Sequence, residues 1–212
     1  MAIDPRLLTV AQWLSPSYPL GSFAFSQGLE RACADGLVRD ARSLEAWLRD
    51  VVEVGSGRSD AVWIARAWHE DLPLAELDAL ARSYMPSSDR LREAERQGAA
   101  FARITSDVWQ IEVPAVVLPV ALGHAARRVG LELGPLLILY LQGVVSNLVA
   151  CGQRLMPLGQ TDAQRIIAAL SAPCVAVAET VVTEGGEIWS NSFMADIASM
   201  THETLDVRIF QS

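Results

Sequence analysis

Apolar residues recur along most of this 212-residue chain at the spacing of one helix face, and that period leaves little room for another class of fold. Leu7, Val10, Ala11 and Leu14 fall at i, i+3, i+4 and i+7 behind an Asp4-Pro5 start, where proline suits the first helical position. Leu44, Trp47, Leu48 and Val51 make the next stripe; Gly55-Ser-Gly57 interrupts it, and Ala61, Ile64, Ala65 and Trp68 resume it. Leu74, Leu77, Ala81 and Tyr84 mark another helix, ended near Met85-Pro86. A long amphipathic helix is expected from about Ser88 to Trp109, with Ala94, Gly98, Phe101, Thr105 and Val108 on one face. Apolar helices follow over about 115–129 and 135–155, divided by Gly130 and Gly134. Thr161-x-x-Gln164 reads as a capping box opening a further helix. Another starts at Pro173, where alanines at 176 and 178 favour helix over strand in a β-branched run. The last candidate spans Ser192 to Thr201. The pattern predicts one all-α domain over 1–212, a single-domain helical bundle of roughly nine or ten helices.

One segment breaks the rhythm. From Trp13 to Glu30 the chain holds Pro16, Pro19, Gly21 and Gly28 among Tyr18, Phe23 and Phe25, with a helix possible only from Phe23 to Ala34, closed by Gly36. A plain connector between helices needs only a few turn residues. Prolines and a glycine make a stiff loop that holds its rings at fixed positions, suited equally to core packing and to a partner surface. Ser26 is expected to hydrogen-bond to the loop backbone.

Composition excludes several kinds of chemistry. The net charge of −8 argues against a phosphate-backbone binder, so no nucleic acid is expected. The seventeen basic residues are all arginine. Without lysine there is no phosphate-loop lysine, Schiff base or lysine general base. No G-x-S-x-G elbow or Ser/Cys-His-Asp set is evident, so a catalytic site is not expected. His69, His124 and His202 are scattered, and Cys33, Cys151 and Cys174 include no C-x-x-C. No confident metal set follows; Glu30 and Cys33, three apart on one helix, and His202 are weak candidates. The thiols suit a reducing cytoplasm. The start Met-Ala-Ile-Asp-Pro-Arg shows no secretory signal. The apolar run Pro135–Leu141 is too short for a span, so no membrane is expected.

Three blocks resemble one family, the urease accessory proteins of the F type (UreF). They are SPSYPLGSFAFSQGLE; YLQGVVSNLVACGQRLMPLGQTDAQ, from Tyr140 to Gln164; and NSFMADIASMTHETLDVRIFQS, from Asn191 onward. Their order and spacing extend the resemblance over nearly the whole chain. It implies a helical, non-enzymatic homodimer bridging the GTPase UreG and the β-rich scaffold UreD (also called UreH), as nickel moves to apo-urease. It also implies no intrinsic cofactor, but action in a nickel- and GTP-dependent complex that modulates GTP hydrolysis. By motif, the partner-binding residues are Pro16, Tyr18, Pro19, Gly21, Phe23, Ser26, Gly28 and Glu30 in the first block. Arg154, Pro157, Gly159 and Gln160 come from the second, and Met200, His202, Glu203 and Arg208 from the third. Arg154 stands where the family commonly has lysine, and Ile209 where it has leucine.

Three further expectations follow. The helix from about Leu136 to Leu155 is apolar around more of its circumference than a surface helix of a monomer needs, so a homodimer is expected in which a second subunit covers the excess, the alternative being a central core helix. The tail from about 204 to 212 is expected to be mobile until the scaffold orders it. The competing functions are a stand-alone nickel chaperone and an uncharacterised helical hydrolase.

Overall fold

The structure, a computed structural model, describes residues 4–212. Among them are eleven α-helices and one short 3-10 turn, with no strand. In chain order they are α1 (Leu7–Trp13), the 3-10 turn (Ser22–Ala24), α2 (Leu29–Ala34), α3 (Ala41–Glu53), α4 (Ser56–His69) and α5 (Leu74–Ser83). Then come α6 (Ser88–Trp109), α7 (Leu118–Arg128), α8 (Leu133–Leu155), α9 (Gln160–Ala169), α10 (Ser171–Glu184) and α11 (Phe193–His202). The all-α expectation holds. The helix count is close to the roughly nine or ten expected, and the stripe broken at Gly55 divides into α3 and α4.

Local chemistry sets several boundaries. Asp40 opens α3 as a reciprocal cap, its carboxylate accepting the Ser43 N–H while the Ser43 hydroxyl accepts the Asp40 N–H. Ser87 caps α6 by accepting the Arg90 N–H. The expected capping box at Thr161 does not form: α9 begins two residues earlier than that cap implies, at Gln160 behind Gly159, without a side-chain cap. The expected helix from Phe23 is also cut short. Gln27 and Gly28 take left-handed backbone angles, φ 53° and 83°, so the regular helix begins only at Leu29.

Helix α8 runs through the middle and packs against α1, α2, α3, α4, α9 and α10. Its fully buried side carries Leu136, Leu137, Leu141, Val145, Leu148 and Val149. Helices α8 and α9–α10 (Leu133–Leu155 and Gln160–Glu184) are long and apolar enough to cross a membrane by length and composition. That is more than the short apolar run suggested, but a core helix meets the same test, and the contacts of α8 are those of one. Helices α4 and α7 make the most intimate pair, because Gly123 lets the backbones touch: a Cβ there would strike the Ile64 carbonyl. Helix α11 lies against α2 and α6. That packing brings the last segment of the chain beside the first loop.

Candidate partner-binding site

The irregular loop is built from its backbone outward. Gly21 takes φ 71° and turns the chain into the 3-10 turn, lifting Phe23 into solvent at 72% exposure. Tyr18 goes the other way. It is buried, its hydroxyl lies 2.8 Å from the Thr105 hydroxyl, and its ring packs at 5.9 Å on Phe101. Phe25 is buried too, and its carbonyl accepts from the Asn147 amide and the Cys151 thiol of α8. The aromatic set therefore divides: Tyr18 and Phe25 are core, and Phe23 is surface.

Gly28 meets two demands at once. Its φ of 83° favours glycine, and a Cβ would approach Ser199 N of α11 to 2.6 Å. The close passage lets α11 settle on α2, where Glu30 becomes the centre of a buried polar junction. The Glu30 carboxylate accepts the N–H groups of Ile209 (2.7 Å) and Phe210 (3.0 Å), and it meets His202 Nε2 at 2.9 Å. Burial by itself would raise the Glu30 pKa; the His202 and backbone hydrogen bonds outweigh it, so the value is lowered. On its other side, His202 Nδ1 lies 3.2 Å from Asp89 Oδ2, which Arg208 also approaches at 3.3 Å. A ring with carboxylate oxygen at both nitrogens has a donor on each side only when doubly protonated. Arg92 pairs with the other oxygen of Asp89.

The C-terminal segment, for which mobility over 204–212 is expected, is seated against the first loop and α6 in this structure. Phe210 and Ser212 are buried. The Ser212 carbonyl accepts the Ser26 N–H at 2.8 Å and the Ser26 hydroxyl as well, while the Gln211 N–H donates to the Ala24 carbonyl at 2.8 Å. The Ser26 hydroxyl also accepts the Glu30 N–H, as a loop-bound serine should. Arg154 closes the arrangement from α8: it donates to the Phe23 carbonyl at 3.0 Å and lies 4.2 Å above the Phe210 ring. The amides of Ile209, Phe210 and Gln211 thus find acceptors in Glu30 and in the first loop.

The weak metal candidates resolve differently. His202 is fully buried with both nitrogens engaged, and Glu30 spends its oxygens on His202 and two backbone amides. Burial, with the Glu30 charge adding to it, pushes the Cys33 thiol up to about 11, so it stays protonated near neutrality. Among the described residues no three His, Cys, Asp or Glu side chains gather as a metal group. His69 ends α4, and His124 Nε2 rests 3.2 Å from the Glu112 carbonyl. The cysteines are free thiols.

Comparison with known proteins gives the family. The UreF family model matches residues 38–171. The urease accessory protein UreF of Cereibacter sphaeroides strain KD131 is 44% identical over 215 residues, covering 99% of this chain and all of that protein. Those of Ruegeria pomeroyi, 40% identical over 212 residues, and Ruegeria sp. TM1040, 45% over 208, are covered at 98% and 97% of their own lengths. The chain belongs to the UreF family of urease accessory proteins. That family is one of accessory proteins rather than enzymes.

The sixteen motif residues carried over from UreF proteins separate by burial. Tyr18, Ser26, Gly28, Glu30 and His202 are buried within the junction or the core beside it. Pro16, Pro19, Phe23, Arg154, Pro157, Gly159, Gln160, Met200, Glu203 and Arg208 lie exposed, and Gly21 is half-buried. Glu203 accepts from the Ser88 N–H and hydroxyl, fastening the end of α11 to the start of α6. Asp89 and Glu93 were missed by reading the sequence. They sit in an ordinary amphipathic stretch, and only packing shows that they face the C-terminal segment. Their one available signal was that a carboxylate at 89 and another at 93 fall on the same helix side.

Proposed function

We propose that this chain is an adaptor in urease maturation, joining the nickel-delivering GTPase UreG to the scaffold UreD (UreH) for GTP-dependent nickel insertion into apo-urease. Membership in the UreF family supports the setting. The observation that carries the adaptor reading is an uncovered apolar face on α11. Phe193, Met194, Ile197 and Met200 are 69%, 51%, 50% and 51% exposed, and Val207 and Ile209 of the following segment are 82% and 57% exposed. Spacing of 0, 1, 4 and 7 puts the four α11 side chains on one stripe, as helix recognition requires. Apolar surface left in water at this density marks an interaction site. The scaffold docks on this stripe, and the segment from 204 to 212 takes part as a seated surface instead of a loose strand.

Phe23 and Arg154 sit at the opposite end of the same junction and serve the GTPase. Arg154 fixes the Phe23 carbonyl and stacks on Phe210, so it transmits the position of the C-terminal segment to the exposed aromatic. A regulator of GTP hydrolysis needs only to bind two states of the GTPase differently, with the catalytic groups supplied by the GTPase. The half-buried side of α8, with Ile138, Leu139 and Val144, receives a second copy of this chain, giving a homodimer. The free thiols suit a cytoplasmic setting.

Co-expression with UreG and UreD followed by size-exclusion chromatography tests the reading. A ternary complex is expected, and Ile197→Asp is expected to remove the scaffold while the helical circular dichroism stays unchanged. A complex that forms normally with Ile197→Asp would overturn the α11 assignment. Arg154→Ala is expected to lower urease activation severalfold with a small change in melting temperature. Normal activation would reduce Arg154 to a structural contact. Light scattering that gives only a 23.0 kDa species would remove the homodimer.

A further inference from the structure

The outer face of α6 carries a row of arginines. Arg92, Arg96 and Arg103 are exposed, with exposed Ala99 between the last two. On a regular helix the three fall within about 40° of arc and span about 16 Å. Their charge is poorly balanced. Elsewhere surface arginines keep a counterion three or four residues away: Arg31 pairs with Asp35, Arg49 with Glu45 and Glu53, and Arg165 with Asp162. On α6, Arg103 has no carboxylate partner among the described residues, although Asp107 lies one turn farther on. Arg96 donates to the neutral side chain of Gln211, and Arg92 shares the buried Asp89 with Arg208 and His202. Glu95, on the flank of the row, is taken by Arg82. A positive row on a chain of net charge −8 runs against its composition.

The row is continuous with the apolar surface at the end of the chain. The last residues run along α6: Glu203 accepts from the Ser88 hydroxyl, Arg208 reaches Asp89, and Gln211 meets Arg96. Val207 and Ile209 flank Arg208 and point to solvent, and the same stretch adds one exposed charge of each sign, Asp206 and Arg208. The uncovered apolar side chains thus have arginine along one border. An apolar centre with arginine beside it is the make-up of a protein interface.

We propose that the outer face of α6 is the electrostatic border of the α11 docking surface, where Arg92, Arg96 and Arg103 take a carboxylate-bearing surface of the same scaffold partner. The proposal rests on the scaffold-docking reading of α11 and adds the chemistry of what fits there. A guanidinium pairs with a carboxylate as a planar fork. The complementary surface therefore places Asp or Glu side chains at intervals of about 6 Å and about 10 Å, the spacing of the row. At a solvent-exposed border such pairs act chiefly on the rate of encounter, and salt screens them.

The test measures association of the full chain with purified UreD by surface plasmon resonance at about 50 mM and about 500 mM salt. The double variant Arg96→Glu with Arg103→Glu is expected to associate about tenfold more slowly at low salt, with dissociation and helical circular dichroism unchanged, and to match the parent at high salt. Arg96→Lys with Arg103→Lys keeps both charges and is expected to stay within about twofold of the parent. Ile197→Asp is expected to remove binding at both salt concentrations. If the double Glu variant associates like the parent at low salt, the proposal fails while the docking reading stands. If the parent does not bind UreD, or Ile197→Asp binds normally, the docking reading fails and takes the proposal with it. Slowing that is equal at both salt concentrations would be a packing effect and would also overturn the proposal. So would binding of the parent, but not of the double Glu variant, to duplex DNA or phosphatidylserine vesicles at about 150 mM salt, since the row would then serve phosphate.

Discussion

Helices α4 and α7 meet through alanine, glycine and aliphatic side chains, whereas α2, α6 and the C-terminal segment meet through Glu30, Asp89, His202 and Arg208. Both regions are buried. In the first, Gly123 lies against Ile64 and Ala67, and cohesion comes from apolar area and close packing, which are indifferent to pH. In the second, a few charged hydrogen bonds hold a segment whose other face stays open to solvent. Apolar contact makes the permanent body of the molecule. The polar junction fastens the part that carries the exposed α11 stripe, and its strength depends on protonation and on each partner being present.

The two regions are expected to respond differently to substitution. Leu122→Ala, in the apolar pair, is expected to lower global stability by about 2–5 kcal/mol, because the removed methyl groups leave a cavity in a rigid wall. Chemical denaturation followed by circular dichroism measures it, and all helices should melt together. His202→Ala is expected to act locally. It leaves the buried Glu30 and Asp89 carboxylates without their shared partner, so hydrogen-exchange protection of the Ile209 and Phe210 amides falls by one to two orders of magnitude, the equivalent of about 1–3 kcal/mol. Amides in α7 should keep their protection. Equal loss in both regions would show that the junction is part of the single folding unit.

The smallest effect sharpens the point without any substitution. The folded-state pKa of Glu30 is depressed, so its contribution is fully present above the ordinary carboxylate range and is lost as pH falls through the lower folded value. Protection of the Ile209 and Phe210 amides, corrected for intrinsic exchange, should stay flat from neutrality to about pH 5 and decline in more acid solution. A flat profile through the acid range would show that the carboxylate charge does not matter to the seating of the segment.

Much of the framework was legible before folding. Stripes such as Leu44-Trp47-Leu48-Val51 name their helices directly, since a 3.6-residue period is a local property of the chain. Pro16, Pro19 and Gly21 announced a shaped loop for the same reason. The destinations of its residues were not legible. Tyr18 and Phe23 are both aromatic and five positions apart, yet one is core and the other is 72% exposed, because Gly21 reverses the path between them. The seat of the C-terminal segment was hidden for a similar reason. An alternating apolar end reads as frayed when its amide partners lie some 180 residues away.

Sequence alone thus determined the helical class, the unusual loop, the lack of lysine chemistry and the family, because period, composition and motif are written in neighbouring residues. Tertiary structure decided that His202 bridges Glu30 and Asp89 inside the fold, that Glu30 accepts the Ile209 and Phe210 amides, and that Asp89 belongs to the site. It also decided which apolar residues stay uncovered. Those outcomes depend on which helix faces meet, and a hydrogen bond across the fold leaves no trace in the order of residues on either side.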